Sequence, residues 1–155
     1  LDAGGFDRFR FPDGVVGAKL EENFGSEIDG STGQHPGTDS PGATKFQELA
    51  GDAFDPTSAF AAESYDAAAL IMLAMQAANS DDPQVYKDKV MDVANAPGEK
   101  IYPGELAKAL ELLKAGTDID YVGASAVELI GPGESAGNYR QIVFKDGKIT
   151  TAKYR

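Results

Sequence analysis

The residues best suited to chemistry in this chain are carboxylates and aromatics set beside turns. Asp13 stands in Pro12-Asp13-Gly14, directly after the alternating Phe9-Arg10-Phe11. Ligands of open α/β sheets bind beyond the carboxyl ends of the strands. A carboxylate at such a point can take an ammonium group through a short charge-assisted hydrogen bond. The competing role is local, since Asp in a turn commonly bonds its own backbone. Glu63 and Asp66 form an acidic pair near the start of an alanine-rich stretch from Phe60 to Ala78. Asp13 with Glu63 is the combination available for acid–base work. No spacing selects for it, and no nucleophile accompanies it.

The other motifs are weaker. His35 is the single histidine, so no Ser-His-Asp arrangement can be assembled with specificity. Between Gln34 and Pro36 it reads as a hinge residue rather than a metal ligand or base. Gly14, His35 and Glu63 are candidates for cleft or hinge positions. Gly131-Pro132-Gly133-Glu134-Ser135-Ala136 fits the loose dinucleotide fingerprint, but the following Asn138 to Phe144 reads as a strand where a helix is required. A turn between strands is expected there. Asp118-Ile119-Asp120 resembles the opening of a calcium loop, yet Val122 and Leu129 occupy positions that need oxygen ligands. No metal or cofactor is expected.

The bulk properties narrow the classes. The chain has 155 residues and a net charge of −11. An acidic surface argues against nucleic acid as a partner, because phosphate binding needs a basic field. The alanine-rich stretch holds Glu63, Asp66 and Gln76 and too little Leu or Ile for a membrane span, so direct membrane insertion is not expected. Cysteine is absent, which rules out disulfides and thiol chemistry. Leu1 to Phe6 reads as the last turn of a helix with a Gly cap rather than a natural start, so the chain is expected to be a fragment or a processed product.

Several elements must position these residues. Phe9 to Phe11 is a short strand, Val15 to Phe24 a helix closed by Gly25, and Ile28 to Thr32 a strand followed by a Gly/Pro crossover, Gly33 to Gly37. Asp39-Ser40-Pro41 starts a helix to about Leu49 that buries Phe46 and Leu49. The alanine-rich helix follows, and its composition suits close packing on a sheet. Asp81-Asp82-Pro83 starts another helix, with Val85, Val90 and Val93 in rough register. Pro103-Gly104-Glu105 opens a last one, with Leu106, Leu110 and Leu113 on one face. Ala126 to Ile130, Tyr139 to Phe144 and Ile149 to Ala152 read as strands, the last two joined by Asp146-Gly147 in a hairpin. The order indicates an α/β protein ending in a β-hairpin.

Five segments together carry a resemblance. They are Phe9 to Gly14, Asp29-Gly30-Ser31, Gly37 to Gly42, Phe60 to Asp66, and Gly137-Asn138-Tyr139 with Lys145 to Lys148. Their order resembles the C-terminal part of type I periplasmic binding proteins, particularly the substrate-binding component of branched-chain amino acid ABC transporters. The resemblance covers essentially the whole chain. It implies Rossmann-like lobes in three α/β/α layers, incomplete here. It assigns 1–33 to the C-terminal lobe, 34–37 to a hinge crossover, 38–133 to the N-terminal lobe, and 134–155 to a crossover and closing hairpin in the C-terminal lobe.

The resemblance also implies roles. Asp13 falls where the family places an acidic side chain on the ligand's α-ammonium, and Phe60 where an aromatic walls the cleft. Asp in place of a longer Glu shortens the reach, and Phe in place of Tyr removes a phenolic hydrogen bond. The segment from Pro97 to Ile119 inserts a helix that many members lack. The implied protein is non-catalytic, exported to the periplasm behind a signal peptide, and delivers a small amino acid-like ligand to a membrane permease. The alternatives are an α/β enzyme using Asp13 and Glu63, or a ligand sensor of the same fold.

Overall fold

The structure, a computed structural model, describes residues 4–155. The helix end read at the start of the chain lies outside the described residues. Two compact units arise from the one chain: Leu1–Thr38 with Asn138–Arg155, and Asp39–Gly137.

The first unit is a four-stranded sheet. Strands β1 (Arg10–Phe11), β2 (Thr32–Pro36), β7 (Tyr139–Lys145) and β8 (Lys148–Tyr154) lie in the order β1-β2-β7-β8. β1 and β2 are parallel, and the remaining pairs are antiparallel. Helix α1 (Ala18–Phe24) ends at Gly25, as expected, and a 3-10 turn follows over Gly25–Ile28. The expected strand from Ile28 is displaced. Ile28 closes the 3-10 turn as a buried residue, and the strand starts at Thr32 and runs through the glycine and proline assigned to a crossover. Partners on both sides override the poor strand propensity of that segment. Gly33 is required there: a Cβ would press on Val16 Cγ2 and the Phe11 carbonyl.

Ile28, Ile142 and Phe144 form the core of this unit, with Phe9, Phe11, Val16, Leu20 and Ile149 packed around them. Phe11 meets Phe144 edge-on at 5.6 Å. The closing hairpin turns at Asp146 (φ 54°) and Gly147 (φ 73°), the backbone an Asp-Gly hairpin demands. Both turn amides donate to the Asp29 carboxylate at 3.0 Å.

The second unit is built round the alanine-rich helix. α2 (Pro41–Ala50) begins as expected, with Ser40 Oγ accepting from Ala43 N at 3.2 Å and Pro41 in the first turn. Phe46 is buried, but Leu49 is 54% exposed and faces away from the core. α3 (Ala61–Ala78) buries Ala69, Leu70, Leu73 and Ala74. The next helical stretch is broken into α4 (Pro83–Tyr86), a 3-10 turn at Lys87–Lys89, and α5 (Val90–Ala94). Val93 is buried, whereas Val85 is exposed.

Three short strands were not expected: β3 (Glu99–Ile101), β4 (Ile119–Tyr121) and β6 (Glu134–Ser135). β3 and β4 pair in parallel, and α6 (Leu106–Lys114) connects them. The helix read as an insertion is thus the crossover of a βαβ unit. Leu106, Leu110 and Leu113 pack on the core as their spacing indicated. The strand expected over Ala126 to Ile130 shrinks to β5 (Leu129–Gly131), which pairs with β6 (Glu134–Ser135) across the turn at Pro132-Gly133. The turn reading of that glycine motif therefore holds.

Candidate functional site

Asp13 is the first residue of a 3-10 turn, Asp13–Val15, that follows β1 within two residues. Its Oδ1 accepts from Gly14 N at 2.7 Å, the local bond expected of a turn former. Oδ2 has no protein donor among the described residues. Gly14 is exposed, with open space where a Cβ would stand. A cavity of about 510 Å³ lies alongside β1 in the same unit. Arg10, Arg155, Gln34, Gln141, Phe11 and Pro12 contribute to its wall. Its guanidinium and amide groups suit an anionic or carboxylate-bearing guest.

His35 sits in β2, paired with Arg140 across the sheet, and is 4% exposed. Its Nδ1 lies 2.8 Å from the Pro36 carbonyl. A buried strand position fixes this ring against its own backbone.

The other candidates lie on α3 in the second unit. Phe60 is the residue ahead of the first helical turn, with φ 68° and ψ 5° and no side-chain cap. A bulky non-glycine residue in the left-handed region is an outlier that costs about 1–3 kcal/mol. The ring is nevertheless 45% exposed, so burial does not compensate the strain. Glu63 follows on the first turn and is partly buried. Desolvation, reinforced by the neighbouring Asp66 charge, pushes its carboxyl above the usual range, against its own backbone hydrogen bond.

Thus Phe60 and Glu63 share one helix start, while Asp13 and Gly14 share one turn of the other unit. Among the described residues no cluster of His, Asp and Glu has metal-binding geometry. No described helix is long and apolar enough to cross a membrane.

Sequence reasoning saw Asp66 only as part of an acidic pair with Glu63 and missed its role. It is 2% exposed and accepts from Tyr121 Oη (2.8 Å), Ala124 N (2.7 Å), Ser125 N (2.7 Å) and Ser125 Oγ (2.6 Å). Burial first, and then the Asp66 charge, push the Tyr121 phenol upward, so it stays protonated and donates. The available signal was an Asp well inside an alanine helix, where its propensity is poor, with Gly123-Ala124-Ser125 later in the chain.

No family model matches the chain. A curated relative, the chemotactic signal transduction system substrate-binding protein BasB of Halobacterium salinarum, is 28% identical over 111 residues, which are 71% of this chain and 27% of BasB. The crystal structure of a leucine binding protein, LivK, from Thermotoga maritima superposes with a TM-score of 0.69 at 18% identity. That match takes in 99% of this chain and 38% of LivK, so the chain spans well under half the length of either protein. The fold reading of the sequence is borne out: this chain carries, over nearly its whole length, part of the mixed α/β fold of LivK.

Proposed function

We propose that the full-length protein is an exported, non-catalytic solute-binding component that takes a small amino acid-like ligand and passes it to a membrane partner. The observation that carries this reading is the LivK fold along 99% of the chain. Both compared proteins are named for binding, as a substrate-binding and a leucine binding protein. In this reading Leu1–Thr38 and Asn138–Arg155 belong to one lobe and Asp39–Gly137 to the other. The passages at 38–39 and 137–138 then serve as hinges, and ligand contacts from both lobes favour the closed form. Asp13 takes the ammonium group, and Phe60 packs on the ligand's apolar part.

The partner is an ABC permease in the transport version of this reading. BasB favours a second version, in which the same binding event is handed to a chemotactic signalling receptor. Calorimetric titration of the full-length protein with L-leucine and a panel of small amino acids and amides tests the shared core. Saturable binding is expected. Turnover of any panel member, or the absence of binding throughout, contradicts it. Growth on the bound ligand as sole nitrogen source then separates transport from signalling, since only transport requires uptake.

A further inference from the structure

We infer that Asp66 is a positioning residue for ligand recognition: its carboxylate fixes the first turns of α3, and with them Phe60 and Glu63, onto the loop that leaves β4. The inference rests on the reading that Phe60 touches ligand. Its geometric part concerns the second unit alone.

Four donors converge on Asp66, and all of them come from β4 or the loop after it. Tyr121 is the last residue of β4, and Ala124 and Ser125 lie three and four residues beyond it. Each donor is neutral, so the carboxylate is solvated by oriented amides and hydroxyls rather than paired with a cation. A carboxylate supplies acceptor sites only, which matches a site made of donors only. Asn would turn an NH2 group toward that donor set.

Two glycines make the approach possible. A Cβ on Gly123, whose φ is +64°, would overlap the Asp66 carboxylate. A Cβ on Gly42, in the first turn of α2, would overlap the Gly123 carbonyl. The α2 backbone therefore abuts the loop backbone directly, and the loop backbone abuts the Asp66 carboxylate of α3. The same loop is tied to β3, because Val122 N and Gly123 N both donate to the Ile101 carbonyl, at 3.0 and 3.3 Å. Tyr65, beside Asp66, accepts from Gly104 N at 3.4 Å in the segment after β3.

Consecutive residues of α3 thus hold on to the segments leaving both parallel strands. In α/β folds the carboxyl ends of such strands are where ligands sit. Phe60 lies six residues before Asp66, about 9 Å along the axis at the helical rise. The helix start has no capping side chain of its own and carries a strained residue. Its direction is set from Asp66, the first fully buried residue of α3.

The test uses the full-length protein with Asp66→Asn, Tyr121→Phe, and Ser64→Ala as an exposed-face control. L-leucine affinity and amide hydrogen exchange are read together. Asp66→Asn is expected to keep its far-UV circular dichroism and lose affinity about tenfold, the size of one charged hydrogen bond. Exchange at Ala124, Ser125 and the amides of Ser64 to Ala67 rises with it. Tyr121→Phe, which removes one donor, is expected to lose about fivefold and serves alone if Asp66→Asn does not fold.

Unchanged affinity in a variant whose loop amides exchange faster reduces Asp66 to a stabilising residue and overturns the inference. Unchanged exchange at Ser64 to Ala67 overturns it as well. If the wild-type protein itself takes no leucine and no other panel ligand, the binding reading fails; the ligand-free exchange pattern still decides whether Asp66 anchors α3.

Discussion

The two units put the same side chain to opposite uses. In the second unit the Asp66 carboxylate is buried, and four donors from β4 and its loop spend its acceptor capacity on holding the fold together. In the first unit the carboxylates lie nearer the surface. Asp29 braces the closing hairpin and Asp13 turns one oxygen to Gly14, with the other lacking a protein donor among the described residues. Burial separates the roles. A dry carboxylate must have its lone pairs filled by the protein, whereas a half-exposed one can exchange water for a ligand's ammonium at modest cost.

The contrast yields an ordered set of expected effects. Asp66→Ala strands several buried donors and should lower stability by on the order of 4 kcal/mol in urea titrations. Asp29→Ala, which removes the brace from the hairpin turn, should lower it by only about 1 kcal/mol. Equal losses at the two sites would erase the distinction drawn from burial.

Asp13→Asn should leave the urea midpoint unchanged while weakening an ammonium-bearing ligand by about 1.5–3 kcal/mol, the range for a hydrogen bond to a charged group. Phe60→Gly should separate stability from function on the other unit. Releasing the left-handed strain should raise stability by about 1 kcal/mol, and loss of the ring should weaken binding in the same preparation. A Phe60→Gly protein that binds as tightly as wild type would remove Phe60 from the site.

The smallest effects are those of pH, and they run in opposite directions in the two units. Desolvation raises the Glu63 carboxyl above 4.5 in the folded state. The native form therefore holds its proton longer than the unfolded chain, and Glu63 subtracts stability as pH climbs through and past its folded value. Glu63→Gln should melt progressively higher than wild type as pH rises from acid to neutral.

Glu21 behaves inversely. The amide of Ile149 first, and then Lys148 Nζ, hold its carboxyl below 4.5. Its contribution is present above that ordinary value and disappears as pH falls through the lowered one. The deficit of Glu21→Gln should accordingly shrink in acid. Parallel pH trends in the two variants would show that one of the two environments has been misassigned.

What could be read from the sequence was whatever local chemistry decides. Ser40-Pro41 and Asp82-Pro83 mark helix starts because the cap and the proline act within a few residues. Asp146-Gly147 marks a hairpin for the same reason. β3 and β4 escaped because three-residue strands carry almost no periodicity, and each exists only through pairing with the other across α6. Gly33 to Pro36 looked like a crossover because Gly and Pro disfavour strands, and only the close Phe11 carbonyl reveals why glycine belongs there.

Of the candidate site, Asp13 could be nominated from its turn and Phe60 from its helix start, both with the resemblance beside them. The Asp66 network could not be, since its donors lie 55 to 59 residues further along the chain, and nothing in the residue type of Phe60 announced its left-handed backbone. Leu49 shows the limit from the other side: an apolar residue at the end of an amphipathic helix can face solvent when the core does not extend that far.

The most direct test of the account is a calorimetric titration of full-length wild-type protein and Asp13→Asn with L-leucine, other small amino acids and the matching amino-group-free acids. The account predicts saturable one-to-one binding of at least one amino acid, a tenfold or greater loss in Asp13→Asn by about one charged hydrogen bond, and no comparable loss for a ligand without the ammonium group. Wild-type binding that Asp13→Asn leaves intact, or no binding by the wild-type protein at all, would contradict it.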